Sequence, residues 1–267
     1  MASFDVATSK DQQVLVEEYN LVRMLALNRP KQLNALTEHM GNGRAFCVGG
    51  DVPTVNRDFS EDWRSGANFF GKQYTLNYVM ATYGKPQVSI LNGFVMGGGA
   101  GLSIHGRFRV VTENTVFAMP EVAIGSFPDV GASYFLSRLP GLFGEYLGLT
   151  GARLDGAEML ACGLATHFVP SAKLPQLEEE LCKTTATDPL NISKIIYRYE
   201  GIPALKENSA YLQLRTIDKC FSCETVEDIL SSLEIEAAEK NDNWISAAVQ
   251  SLKKGSPISL KLALRSV

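Results

Sequence analysis

The chain has few of the residues that build metal and redox centres: three histidines and five cysteines in 267 residues. His39, His105 and His167 lie far apart, with no serine or cysteine in a recognisable nucleophile motif, which argues against a Ser/Cys–His triad. Cys47, Cys162, Cys182, Cys220 and Cys223 are odd in number and scattered, which excludes a dense disulfide framework and fits a reducing compartment. Only Cys220 and Cys223 are closely spaced, and no second pair or nearby histidine completes a zinc ligand set. Strong charge is also missing: a net −4 gives no general attraction for phosphate polymers and argues against a nucleic-acid partner. No apolar run approaches the roughly twenty residues of a membrane span. Residues 1–18 carry Asp5, Asp11, Glu17 and Glu18 but no arginine, unlike a secretory signal or a mitochondrial transit peptide. Arg265-Ser266-Val267 is not a peroxisomal address of the Ser-Lys-Leu type. These absences predict a soluble, intracellular protein.

What is present is ordinary for a globular chain, 45% hydrophobic and 20% charged. A protein of this size buries roughly three quarters of its unfolded surface, so a real core is available. Residues 14–19 and 21–27 read as a hairpin turning at Asn20, and residues 32–40 open like a short helix that stops at Gly41-Asn42-Gly43. Residues 63–83 have helical apolar spacing, residues 88–91 and 108–111 read as strands, and Gly97-Gly98-Gly99 leads into a small-residue helix over residues 100–105. Strands alternating with helices predict an α/β fold with parallel βαβ units. Beyond Gly151 the pattern turns helical, over residues 155–162, 174–182, 203–216, 226–239 and 244–253. With no repeat, low-complexity tract or clear linker, a soft boundary near Val169-Pro170 divides a core of residues 1–170 from a helical region of residues 171–267.

The most informative feature is a pair of acids, Glu121 and Asp129, about twenty residues beyond the glycine run. A glycine-rich turn feeding a helix points free N–H groups at one spot, which favours an oxygen that gains negative charge. Two acids nearby would supply proton transfer or a nucleophile. Each feature also has a structural reading: a tight packing turn for the glycines, a helix start after Pro120 for Glu121, an N-cap for Asp129. Gly125 and Pro128 weigh against these, because they break any continuous helix between the acids and let them face each other across a pocket. Residues 43–52 offer a second small-residue turn, and two separate N–H donors are what an oxyanion site uses. Cys47 reads as a buried small hydrophobe.

Three successive segments carry a resemblance: Leu27-Asn28-Arg29-Pro30-Lys31-Gln32-Leu33-Asn34-Ala35-Leu36, Arg44-Ala45-Phe46-Cys47-Val48-Gly49-Gly50-Asp51, and Asn92-Gly93-Phe94-Val95-Met96-Gly97-Gly98-Gly99-Ala100-Gly101-Leu102. Together they resemble the signatures of the crotonase (enoyl-CoA hydratase/isomerase) superfamily. Residues 117–131 followed by Tyr134-Phe135-Leu136 are most similar to its 3-hydroxyisobutyryl-CoA hydrolases, especially the plant ones. The resemblance implies a β-β-α spiral with two roughly perpendicular sheets and a helical C-terminal part. It makes the amides of Gly50 and Gly98 the oxyanion hole and Glu121 and Asp129 the catalytic carboxylates. Gln73 stands where these hydrolases often carry a substrate-contacting glutamate, and Arg29, Lys31 and Arg44 become candidates for coenzyme A phosphates. Hydratases of the superfamily carry a catalytic glutamate where this chain has Gly101, and usually a glycine where it has Asp129, so the pattern implies hydrolysis.

The implied activity is cleavage of an acyl-CoA thioester, 3-hydroxyisobutyryl-CoA to 3-hydroxyisobutyrate and CoA, a step of valine catabolism. It implies no metal and no cofactor, since thioester cleavage needs neither and coenzyme A belongs to the substrate. A homo-oligomer is compatible with the resemblance. The plant enzymes imply a peroxisome, and otherwise the cytoplasm is expected. Relatives also extend the helix near Gln32 and add a core strand before Arg44, so roughly thirty residues are expected to be absent at Met40-Gly41, leaving sheet edges unpaired. Relatives likewise continue past the position of Val267, and the chain reads as a shortened form. Two alternatives therefore stand beside the hydrolase: a hydratase or isomerase, and a non-catalytic form that binds acyl-CoA or sister subunits.

Overall fold

The computed structural model describes residues 13–35, 45–240 and 242–267. Strands β1 (Val14–Tyr19) and β2 (Val22–Leu27) form the expected hairpin, with Tyr19 opposite Val22 and Asn20 at φ 44° in the turn, a left-handed conformation that asparagine tolerates. Then come β3 (Ala45–Cys47), α1 (Val52–Glu61), α2 (Trp63–Ala81), β4 (Val88–Leu91), β5 (Phe94–Met96), α3 (Gly98–Ser103), β6 (Phe108–Val111) and β7 (Val116–Ala118). The chain continues through α4 (Ala132–Phe135), α5 (Phe143–Thr150), β8 (Leu154–Asp155), α6 (Gly156–Ala161), β9 (His167–Phe168), α7 (Leu174–Lys183) and α8 (Pro189–Tyr197). It closes with α9 (Leu214–Phe221), α10 (Val226–Glu239), α11 (Asn243–Lys254) and α12 (Pro257–Ser266).

From β3 to β7 consecutive strands alternate between two sheets, which is what makes the chain spiral. Strands β4, β6 and β9 form a parallel three-stranded sheet, while β3, β5 and β7 run parallel in a second sheet closed by antiparallel β8. Each crossing from the first sheet to the second is a tight corner. Gly93 turns between β4 and β5 at φ 108°, and Thr112 donates to Asn92 Oδ1 at 2.8 Å, tying that corner to the next one. Both sheets feed one apolar cluster that runs from Leu91 and Phe117 through Phe143 and Leu147 to Phe221, Leu252 and Ala263, so it draws on residues on both sides of position 170. Full burial of each such side chain is worth about 1.5–3 kcal/mol. A second cluster joins Phe108 and Val110 to Leu177, Ile192 and Ile196 of α7 and α8.

Several helices begin where the sequence supplies a cap. Asp155 and Glu158 form a capping box on α6, Asp188 with Pro189 starts α8, Thr225 caps α10, and Ser256 with Pro257 starts α12. Two expectations are corrected. No helix opens at Gln32: after a 3-10 turn at Pro30–Gln32, Leu33 and Asn34 take positive φ values of 50° and 58°. The Asn34 side chain donates to the Ala45 and Phe46 carbonyls, and this tie to β3 outweighs helical propensity; residues 36–44, with the Met40-Gly41 junction, lie outside the described residues. The helix expected over residues 203–216 is also absent as such. An irregular segment pinned by Ser209 on buried Glu158 is followed by a 3-10 turn at Ala210–Gln213, and α9 starts only at Leu214. Among the described residues no helix is long and apolar enough to cross a membrane.

Candidate active site

Strand β5 delivers the chain into Gly97, whose φ of +49° L side chains rarely adopt. A Cβ on Gly97 would lie 2.7 Å from Glu121 Oε1, so the glycine makes room for that carboxyl. Two residues on, a Cβ on Gly99 would lie 2.2 Å from the Cys47 carbonyl oxygen, which holds α3 directly against β3. The turn that follows β3 lies beside it. Gly49, at φ +90°, would place a Cβ 3.1 Å from the Gly98 nitrogen, so the two glycine turns meet at the Gly98 amide with Gly50 the next residue along. Inside α3 the first bonds run from Ala100 and Gly101 to the Gly97 carbonyl at 2.8 and 3.3 Å, and the Gly98 amide precedes that ladder.

Glu121 leaves β7 through Met119-Pro120 and opens a 3-10 turn, Glu121–Ile124, that Gly125 ends at φ 81°. Ser126 N bonds back to the Glu121 carbonyl at 3.0 Å, and Ser256 N, just ahead of α12, bonds to the Val122 carbonyl at 3.1 Å, so the turn is braced from both sides. The carboxyl is buried, and Oε2 has no hydrogen-bond partner among the described residues. Burial pushes its pKa from 4.5 up to about 8; its own backbone amide opposes the rise and the charge of Asp129 adds to it. Asp129 is also raised, first by burial, against a lowering hydrogen bond from Tyr74, whose O–H donates to Oδ2 at 2.8 Å. The break between the acids at Gly125 and Pro128 thus leaves a neutral, buried carboxyl and a partnered carboxyl within electrostatic reach of each other.

The remaining expected residues divide. Gln73 is half-buried on α2, one position before Tyr74. Lys31 is exposed in its 3-10 turn, and Arg44 lies outside the described residues. Arg29, expected as a phosphate contact, is instead engaged inside the fold. Its guanidinium reaches the Ala35 carbonyl at 2.8 Å and Asp51 Oδ2 at 3.2 and 3.3 Å, with the side chain only 17% exposed. A planar fork suits two neighbouring acceptors, so Arg29 braces the Gly50-Asp51 turn.

Other chemistries find no support among the described residues. His105 bonds the Val130 carbonyl at 2.9 Å and His167 bonds Thr166, so neither faces a nucleophile; His39 is outside the described set. Burial pushes the Cys47 thiol up to about 12, which makes it inert. No group of three or more His, Cys, Asp or Glu is placed to hold a metal among the described residues.

Position 101 is closed. A Cβ on Gly101 would lie 2.5 Å from Val130 Cβ and 2.8 Å from Asn77 Nδ2, which donates to the Gly101 carbonyl at 2.8 Å. A side chain has no room there. Tyr74, Asn77 and His105 were not read as site residues from sequence. The Phe70 and Tyr74 pair at helical i, i+4 spacing was the one available signal, and such a pair is also ordinary packing.

A family model described as enoyl-CoA hydratase/isomerase matches residues 40–267. The chain is similar to 3-hydroxyisobutyryl-CoA hydrolase 1 of Arabidopsis thaliana, 61% identical over 98% of this chain and 76% of that protein. It is also similar to probable 3-hydroxyisobutyryl-CoA hydrolase 3 of Arabidopsis thaliana, 60% identical over 96% of this chain and 74% of that one. The first alignment runs over 286 positions, more than the 267 residues here, so it includes positions this chain lacks. Among solved structures, a carnitinyl-CoA dehydratase from Mycobacterium thermoresistibile superposes with a TM-score of 0.85 at 32% identity, covering 95% of this chain and 78% of that one.

Proposed function

The chain belongs to the enoyl-CoA hydratase/isomerase family, and within it to the 3-hydroxyisobutyryl-CoA hydrolases, and from that kinship we propose that it cleaves 3-hydroxyisobutyryl-CoA to 3-hydroxyisobutyrate and CoA. It is an acyl-CoA thioester hydrolase. The observation that carries the residue-level reading is the Glu121 carboxyl: buried against Gly97, one oxygen unpartnered, beside Asp129 and next to the meeting point of two glycine turns.

In this reading the thioester oxygen accepts from the Gly50 and Gly98 amides, which stabilise the charge it gains as the carbonyl carbon is attacked. Ionised Glu121 either bonds to that carbon or removes a proton from a water that does. The C–S bond then breaks and the CoA sulfur leaves as thiolate, to be protonated. In the first route water next cleaves the glutamyl anhydride; in both the net change is addition of one water across the thioester. Asp129 handles the 3-hydroxyl or the departing proton. Arg29, through Asp51, holds the Gly50 turn for this task. The closed position 101 favours hydrolysis over hydration, because the second carboxyl that hydratases carry there has no space.

The test is free-thiol release from 3-hydroxyisobutyryl-CoA against hydration of crotonyl-CoA. Thiol release without hydration supports the proposal; hydration without thiol release, or CoA binding with neither, overturns it. One turnover in oxygen-18 water separates the routes, since label in the Glu121 carboxyl requires the anhydride.

A further inference from the structure

Among the described residues the Tyr74 hydroxyl makes the one side-chain bond to Asp129, and it arrives from a different element: Tyr74 lies in the middle of α2, fifty-five residues earlier in sequence. Its donation to Oδ2 at 2.8 Å fixes the rotation of the carboxylate and leaves the other oxygen unclaimed by any described side chain. The ring stacks tilted on Phe70 at 5.8 Å, Phe70 meets Phe69 edge-on at 5.4 Å, and the Phe69 ring lies against Gly50. An aromatic wall therefore runs from the proposed oxyanion glycine to the acid, with the Tyr74 hydroxyl as the polar group at its far end.

The backbone of Asp129 is held without Tyr74. His105 Nε2 bonds the Val130 carbonyl at 2.9 Å, Ala132 N bonds the Asp129 carbonyl at 2.7 Å, and Val130 packs beneath Gly101. Val130 also takes φ 47°, a conformation a β-branched residue adopts only when its surroundings impose it. The loop is thus set by one group of contacts and the direction of the carboxylate by another.

Building on the hydrolase reading, we propose that Tyr74 is the positioning residue that aims the free oxygen of Asp129 at the substrate's 3-hydroxyl, so that selection for 3-hydroxyacyl thioesters depends on it. A thioester without that hydroxyl leaves the aimed oxygen desolvated and unpaired, which a site built to bond a hydroxyl penalises heavily. The phenol stays a donor throughout, since burial and the neighbouring acid raise it well above its ordinary range.

Tyr74→Phe tests this, because it keeps the ring on Phe70 and removes only the hydroxyl. For thiol release, kcat/KM on 3-hydroxyisobutyryl-CoA is expected to fall about 10- to 100-fold while that on isobutyryl-CoA changes less than about threefold, collapsing the preference. An equal loss on both substrates, or no loss on either, overturns the proposal. The Glu121→Gln background separates this from the hydrolase reading. There, binding of the same two thioesters is measured calorimetrically with and without Tyr74→Phe. Loss of discrimination in binding upholds the role of Tyr74 even if the unaltered chain releases no thiol; unchanged discrimination, or binding of neither thioester, overturns it.

Discussion

Helices α2 and α10 are both long and amphipathic, yet they are held in opposite ways. Of the nineteen residues of α2 only Gly66 and Asn77 are buried, and Trp63, Tyr74, Leu76, Tyr78 and Val79 are exposed. In α10, Val226, Ile229, Leu233 and Glu236 are buried, packed with α9, α11 and α12 around a core in which Tyr146 meets Phe143, Phe221 and Trp244. The proposed site draws on both kinds of support. Glu121 stands on a turn braced by the packed C-terminal tier, whereas Gln73 and Tyr74 stand on the lightly covered helix. On the proposed reading chemistry belongs to the packed half and substrate choice to the lightly covered half, which fits the rule that low-stability elements are the ones that move around ligands.

The largest effect expected is at the packed half. Glu121→Gln should lower kcat by about a hundred- to ten-thousandfold in the thiol-release assay. The same change should stabilise the fold above neutral pH. The folded chain holds the Glu121 proton up to about pH 8, while an unfolded glutamate releases it near 4.5. Over that window the folded state binds more protons, so this contribution is full below about 4.5 and is lost as pH rises through about 8. Glutamine carries no such loss, so the melting temperature of the variant, relative to that of the unaltered protein, should rise from pH 5 to about pH 8 and level off above it. A constant difference across that range would show that Glu121 is not held neutral.

The unaltered enzyme tests the same carboxyl in turn. As nucleophile or base Glu121 must be ionised, so kcat/KM should climb about tenfold per pH unit below about 8 and level above it; a fall with rising pH would make it an acid instead.

Next in size, Phe143→Ala in the core should cost about 3–5 kcal/mol by denaturant unfolding, while Tyr78→Ser on the outer face of α2 should cost less than about 0.5 kcal/mol. Similar costs at the two positions would erase the contrast between the halves. Gly101→Glu should destabilise by about 1–3 kcal/mol from overpacking against Val130 and should yield no crotonyl-CoA hydration. The smallest effect is in amide exchange, where α2 should exchange faster than α10, and the reverse order would remove the basis for assigning mobility to the substrate wall.

Much of this is legible in the sequence. The α10 boundaries at Val226 and Glu239 follow from periodicity, and the β1–β2 hairpin follows from two apolar runs around Asn20. The acids Glu121 and Asp129 stood out because Gly125 and Pro128 separate them. Short strands did not stand out: β5, β7, β8 and β9 have two or three residues each and exist only through their neighbours, too few for a period to show. A helix start at Gln32 is overridden because Asn34 bonds to a strand eleven residues away, and the tie of Arg29 to the fold was not legible because its acceptor, Asp51, lies twenty-two residues off.

The sequence by itself determined the family, the spacing of the two acids and the places of the glycine turns, since these depend on residue type and local backbone freedom. Only the tertiary structure decided that the Glu121 carboxyl is buried and its pKa raised, that the Tyr74 hydroxyl bonds Asp129 and that position 101 is full. Desolvation, carboxylate orientation and free volume are set by groups distant in the chain, so no local pattern records them.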